Sequence, residues 1–134
     1  MLFRSYAVVP SDTQQVSDIV KLCRQERVEY TVRGNGSSVM GFVLGSGLII
    51  DTNRMNKMEF DISNRAVTIG AGISAFELQK EAATHGYRIN SAEPSALYCA
   101  NIMCSGLFSL FSSSYGTGTD NLIDAEFVSE EGDV

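Results

Sequence analysis

Arg33-Gly34-Asn35-Gly36-Ser37-Ser38-Val39-Met40-Gly41 is the stretch on which the reading of this chain turns. It follows the β-branched run Tyr30-Thr31-Val32 and so reads as a loop leaving the end of a strand. Two glycines separated by one residue permit positive φ and close approach of a ligand to the main chain. Consecutive N–H groups in such a turn form a concave anion site, and Ser37 and Ser38 add hydroxyl donors. The same residues also suit an ordinary polar loop with glycines at its bends. A P-loop would need a lysine after the second glycine, and none follows Gly36 or Gly41. A dinucleotide fingerprint would need a third glycine opening a helix. Val39 stands there instead, and Phe42-Val43-Leu44-Gly45 is too short for a crossover helix.

Outward from the loop, the chain reads as one domain of 134 residues, with 44% hydrophobic and 19% charged residues. A net charge of −6 disfavours nucleic acid and anionic membrane as partners. An anionic ligand therefore needs local N–H donors. No apolar run reaches the roughly 18 residues of a membrane span, and Met1 to Tyr6 lacks a signal-peptide core. Three cysteines, Cys23, Cys99 and Cys104, have no paired spacing, which argues against a disulfide framework or a structural zinc and for a cytoplasmic setting. No metal site is expected. The single histidine, His85, falls at a helix end, where it complements the helix dipole.

Ala7-Val8-Val9 is expected as a strand closed by Pro10. Ser11 with Gln14 then forms a capping box opening a helix over residues 12–26, with Val16, Ile19, Val20 and Cys23 on its buried face. The strand Tyr30–Arg33 follows, and the strand-helix-strand unit implies parallel pairing. Gly47 to Asp51 is a continuous apolar strand. After the turn Asn53-Arg54-Met55-Asn56, residues 58–62 and 66–69 form a hairpin around Ser63-Asn64-Arg65. Ser74 and Glu77 cap a second helix with the stripe Ala75, Leu78, Ala82 and Ala83, and Gly86 is its left-handed end. Leu97 to Phe111 is expected as a short helix, and residues 112–119 as irregular loop. Leu122 to Ser129 is a last strand running into the turn Glu130-Glu131-Gly132-Asp133, which asks for a returning strand. The sequence stops there, as a chain cut inside a larger fold would. The fold class is α+β or mixed α/β. It consists of a parallel β-α subdomain over residues 1–52 and a second subdomain over 53–134 with a mixed or antiparallel sheet. The glycine- and hydroxyl-rich region of residues 95–120 either meets the first glycine loop around one extended ligand or is an independent surface loop.

With these blocks in place, the chain resembles the FAD-binding domain of the vanillyl-alcohol oxidase and p-cresol methylhydroxylase family. Its resemblance is greatest to the branch of D-lactate dehydrogenases and the glycolate oxidase FAD subunit. The resemblance rests on Val9-Pro10-Ser11, Val32 to Ser38, Leu48 to Asp51 and Asn53 to Asn56. It continues through Val67 to Gly72, Asn101-Ile102 and Tyr115 to Asn121, in order and with family-like gaps. It implies a PCMH-type FAD-binding fold in which Arg33, Gly34, Asn35, Gly36, Ser37 and Ser38 bind the diphosphate of FAD. Pro94, Ser95, Ala100, Asn101, Ser105 and Gly106 would lie along the diphosphate and flavin side, with Tyr115, Gly116 and Asp120 also lining the pocket. Ser37 stands where covalently flavinylated relatives carry histidine, so the resemblance implies non-covalent FAD. Cys99-Ala100 replaces a common Gly-Gly. Cys99 and Cys104 read as small buried residues beside a cofactor, the alternative being that they are redox-active.

The implied activity is that of a flavin-dependent oxidoreductase. It would oxidise a small-molecule substrate, a 2-hydroxy acid such as D-lactate or glycolate, by hydride transfer to FAD. A separate electron acceptor would then take the electrons. Catalytic groups would lie in a C-terminal cap domain, so none is named among these residues. The competing reading, motivated by Cys99-Ala100, is a non-catalytic binding or assembly domain that keeps the fold and has lost FAD.

Overall fold

Leu48–Asp51 takes the one position in its sheet where both backbone edges are paired. A computed structural model describes residues 6–38, 40, 41, 43–90, 98–100, 106 and 109–134. Within it, β1 (Tyr6–Val8), α1 (Thr13–Glu26), β2 (Tyr30–Arg33) and β3 (Leu48–Asp51) build a three-stranded parallel sheet in the order β1-β3-β2. Tyr6 and Tyr30 both pair with Leu48, and Val8 and Val32 with Ile50. The expected parallel relation of β1 and β2 holds, but the two are not neighbours. The later strand β3 enters between them, which leaves Ile50 fully buried. That burial contributes about 1.5–3 kcal/mol, more than an edge position would.

Two details of α1 differ from the sequence expectation. Its N-cap is Asp12, whose carboxylate accepts from the Gln15 N–H, while Ser11 N–H donates to the Gln15 side chain. The capping frame is displaced by one residue because a charged acceptor suits the positive helix end better than a hydroxyl. The buried face carries Ser17 as well as Val20 and Cys23. Ser17 is 1% exposed, and its hydroxyl donates to the carbonyl of Gly132, so the buried polar group is satisfied.

The chain divides into two compact units, one of residues 1–55 with 125–134 and one of residues 56–124. In the first, the final segment runs along α1. Thr13 donates to Glu126, Arg24 pairs with Glu131 at 3.3 Å, and Lys21 with Asp133 at 3.9 Å. The expected turn is present, with Gly132 N–H donating to Ser129 C=O and Ser129 N–H to Asp133 C=O. The expected strand over residues 122–129 is not, because no described residue offers it a ladder; side chains of α1 hold this segment instead.

In the second unit, β4 (Met58–Asp61) and β5 (Ala66–Ile69) form the expected antiparallel hairpin. Met58, Phe60, Val67 and Ile69 pack against the core of Ile73, Ala75, Leu78 and Cys99. Helix α2 (Ala75–Thr84) opens on the expected capping box. Ser74 Oγ accepts from Glu77 N–H at 3.1 Å, and the Glu77 carboxylate accepts from Ser74 N–H at 3.0 Å. It ends on Gly86 at φ +78, with Tyr87 N–H returning to Ala82 C=O, a left-handed cap that satisfies the last carbonyls. Of the expected stripe, Ala83 is exposed while Ala75, Leu78 and Ala82 are buried. Ser112–Tyr115, expected as loop, forms one helical turn. Its serines supply the bonds that a short helix cannot make for itself: Ser109 N–H donates to Ser112 Oγ at 2.8 Å. Most of the expected helix over residues 97–111 lies outside the described residues.

Candidate cofactor-binding loops

In the first unit the glycine loop leaves the carboxyl end of β2, where Arg33 pairs with Asp51 of the central strand. Parallel sheets present their loops to ligands at that end. Gly36 sits at φ +73, and a Cβ built there would lie 3.0 Å from Arg33 Nε and 3.2 Å from Nη2. The guanidinium therefore folds back over the loop. Arg33 pairs with no carboxylate among the described residues, and the N–H groups of Gly34, Gly36 and Ser37 donate to no described atom. A cation and three main-chain donors with no partner among the described residues form a donor set suited to an anion. The chemistry of a diphosphate fits it. Asn35 and Ser38 are engaged within the protein.

In the second unit the structure places Ala100, Gly106, Tyr115, Gly116 and Asp120, whereas Pro94, Ser95, Asn101 and Ser105 lie outside the described residues. Gly106 and the Gly116 turn converge, since a Cβ on Gly106 would lie 3.1 Å from Thr119 Oγ1. Tyr115 ends the helical turn with its side chain largely exposed. Gly116 follows at φ +76, ψ −175, a region open essentially to glycine alone. Asp120 faces inward on its own turn and accepts from Thr117 N–H at 2.6 Å and Thr117 Oγ1 at 2.8 Å. These bonds hold its carboxyl below the ordinary range, the backbone donor first. In this arrangement Asp120 shapes the loop rather than offering its charge outward. Asn121 completes the turn, donating to the carbonyls of Tyr115 and Thr117. Asn90, which sequence reasoning passed over, also reaches this loop, for its amide donates to Gly116 C=O. Its only sequence signal is a polar residue just after a helix cap.

Cys99 resolves the question raised by the missing glycine pair. Its N–H donates to Ile73 C=O at 2.8 Å, and its side chain, 5% exposed, fills the core beneath α2. The added side chain is therefore core filling. Burial, with the Glu77 carboxylate second, pushes the thiol up to about 11. Cys99 is expected to carry about a hundredfold less thiolate than an ordinary cysteine at the same pH. Its alkylation by iodoacetamide, followed by peptide mass spectrometry, should be slower by at least that factor. Labelling at the rate of a free thiol would place Cys99 outside the core. Cys23 is likewise buried and free, its thiol raised by desolvation. Cys104 lies outside the described residues.

Among the described residues no cluster of His, Cys, Asp or Glu is set to hold a metal ion, and no helix is long and apolar enough to cross a membrane.

The profile of the FAD binding domain family matches residues 5–134. The chain belongs to that family. FAD is its cofactor. The FAD-linked oxidoreductase fogF of Aspergillus ruber is 29% identical over 129 residues, covering 96% of this chain and 26% of that protein. A D-lactate dehydrogenase of Archaeoglobus fulgidus is 31% identical over 81 residues, covering 59% of this chain and 18% of that protein. The crystal structure of 6-hydroxy-D-nicotine oxidase from Arthrobacter nicotinovorans superposes with a TM-score of 0.90 at 25% identity, over 99% of this chain and 30% of that one. The chain thus spans about a quarter of the length of the curated relatives it matches. The resemblance to the vanillyl-alcohol oxidase and p-cresol methylhydroxylase flavoproteins, and the α+β fold it implied, are borne out.

Proposed function

We propose that the whole protein is a flavin-dependent oxidoreductase and that this FAD-binding domain holds its cofactor non-covalently. The observation that carries the reading is the glycine loop, where the Arg33 guanidinium and the N–H groups of Gly34, Gly36 and Ser37 have no competing partner among the described residues. Arg33 to Ser38 bind the diphosphate. Pro94, Ser95, Ala100, Asn101, Ser105 and Gly106 line the cofactor, with Tyr115, Gly116 and Asp120. When bound, FAD supplies hydride acceptance from a substrate carbon. The chain's own part is to neutralise the diphosphate and to present glycine backbone where a side chain would obstruct the cofactor. Ser37 has no ring nitrogen to bond the flavin, which supports non-covalent attachment.

Catalytic groups belong to a C-terminal cap domain of the same protein, and a separate electron acceptor takes the electrons from the flavin. A 2-hydroxy acid is the proposed substrate, supported by the likeness to D-lactate dehydrogenase. The fuller coverage of the nicotine oxidase structure favours a cyclic amine as the second reading. Free buried thiols at Cys23 and Cys99 support a cytoplasmic setting.

The test is made on the full-length protein. It should purify yellow, or turn yellow on adding FAD, and acid precipitation should leave all the flavin in the supernatant. Flavin retained in the pellet would overturn non-covalent attachment. A colourless protein that cannot be reconstituted would overturn the enzyme reading in favour of an assembly domain. Anaerobic bleaching by D-lactate or glycolate, against a cyclic amine, decides the substrate class.

A further inference from the structure

We infer that Asn90 is a positioning residue for FAD, setting the Tyr115–Asp120 turn in its binding conformation from outside that turn. The inference rests on the FAD reading above and concerns residues of the second unit alone. After the cap at Gly86, Ile89 N–H is held by the Gln79 side chain of α2 at 3.1 Å, so the chain reaches Asn90 already tied to a rigid helix. The half-buried Asn90 amide then spans two segments. Its Nδ2 donates to Gly116 C=O, and its Oδ1 accepts from the Ser109 hydroxyl.

The orientation is forced by chemistry. A carbonyl oxygen can only accept, so the NH₂ end must face Gly116, which leaves Oδ1 for Ser109. Ser109 is itself fixed at both ends. Its N–H donates to Ser112 Oγ, and its Oγ accepts from Phe111 N–H at 3.0 Å. Gly116 N–H closes the circuit on Ser112 C=O at 2.9 Å. Gly116 is the residue held at φ +76, ψ −175, a backbone that glycine adopts without steric cost but that must be selected among its many alternatives. Asn90 is the distant group that helps to select it, linking α2 to Gly116 through one amide.

Only a group that accepts at one end and donates at the other serves here. Asn90→Asp keeps the size and the acceptor toward Ser109 but sets a carboxylate oxygen against the Gly116 carbonyl. In full-length protein, Asn90→Asp should raise the FAD dissociation constant by about tenfold or more. Hydrogen exchange of the amides from Gly116 to Asn121 should also speed up without FAD, while α2 amides stay at the wild-type rate. Equal FAD affinity and unchanged exchange in the variant would overturn the inference. Wild-type protein that binds no FAD, with exchange still accelerated in the variant, would instead sink the FAD reading and leave the pinning intact. If Asn90→Asp does not fold, Ser109→Ala, which removes the hydroxyl that donates to Asn90 Oδ1, should raise the FAD dissociation constant about threefold. Ser109→Thr should restore it. Wild-type affinity in Ser109→Ala would overturn the inference by this second route.

Discussion

Replacing Gly47 with alanine is expected to cost the protein about 3 kcal/mol of stability or more. Gly47 lies just before β3 at φ +98, and an ideal Cβ there would stand 2.3 Å from the backbone carbonyl oxygen of Glu29. That oxygen cannot yield, since it accepts from Leu48 N–H at 3.0 Å. The Gly47 carbonyl in turn accepts from Tyr6 N–H at 3.2 Å. The starts of all three strands therefore meet at this residue, and an added methyl must push β2 from β3 or β1 from both. Gly86→Ala is the control. It has a similar left-handed φ of +78 but nothing within 4 Å of the added carbon, so it should lose only the conformational cost of about 1 kcal/mol. Urea unfolding of the two variants measures the difference. Equal losses would mean that the approach of Gly47 to Glu29 does not constrain the sheet.

The second large effect is expected at Gly116. Gly116→Ala should weaken FAD binding by about tenfold or more while changing overall stability less than Gly47→Ala does. An alanine at φ +76, ψ −175 is strained, and its Cβ would stand 2.8 Å from Asp120 Cβ and 2.9 Å from Oδ2. The turn can escape only by releasing Asp120 from Thr117, and that bond is what shapes the loop. The core of Ile73, Ala75, Leu78 and Cys99 does not depend on it. FAD titration and thermal unfolding of the full-length protein separate the two effects. Unchanged FAD affinity would remove Gly116 from the cofactor site.

The legible parts of this protein share one property, that the cause lies within a few residues of the effect. The Ser63-Asn64-Arg65 turn of the hairpin, the Ser74–Glu77 capping box and the Gly86 cap all depend on groups close to one another in sequence. So does the glycine loop, where Gly36 at positive φ needs no distant partner. The misread local features were competitions between adjacent groups. Asp12 displaced Ser11 as the N-cap, and serine hydroxyls turned Ser112–Tyr115 into a helical turn where composition suggested loop.

Part of the candidate site was legible for the same reason and part was not. Arg33 to Ser38 is contiguous, so its donors could be read in order. Asn90 was not readable, because its significance comes from Gly116 and Ser109, many residues away along the chain. Ser17 was likewise hidden. A serine on an apolar helix face makes sense only once Gly132 brings a carbonyl to it.

By itself, the sequence determined the elements from β1 to α2, the Ser74–Glu77 and Gly86 caps, the glycine loop and, through ordered motifs, the FAD family. Those depend on local sterics and on hydrogen bonds between near neighbours. Only the tertiary structure decided that β3 lies between β1 and β2, that the final segment returns to α1, and that Cys99 fills a core. It alone also tied Asn90 to the turn at Gly116. These are choices among long-range pairings, settled in the first unit by burying Ile50 and satisfying Ser17, and in the second by satisfying the Gly116 carbonyl.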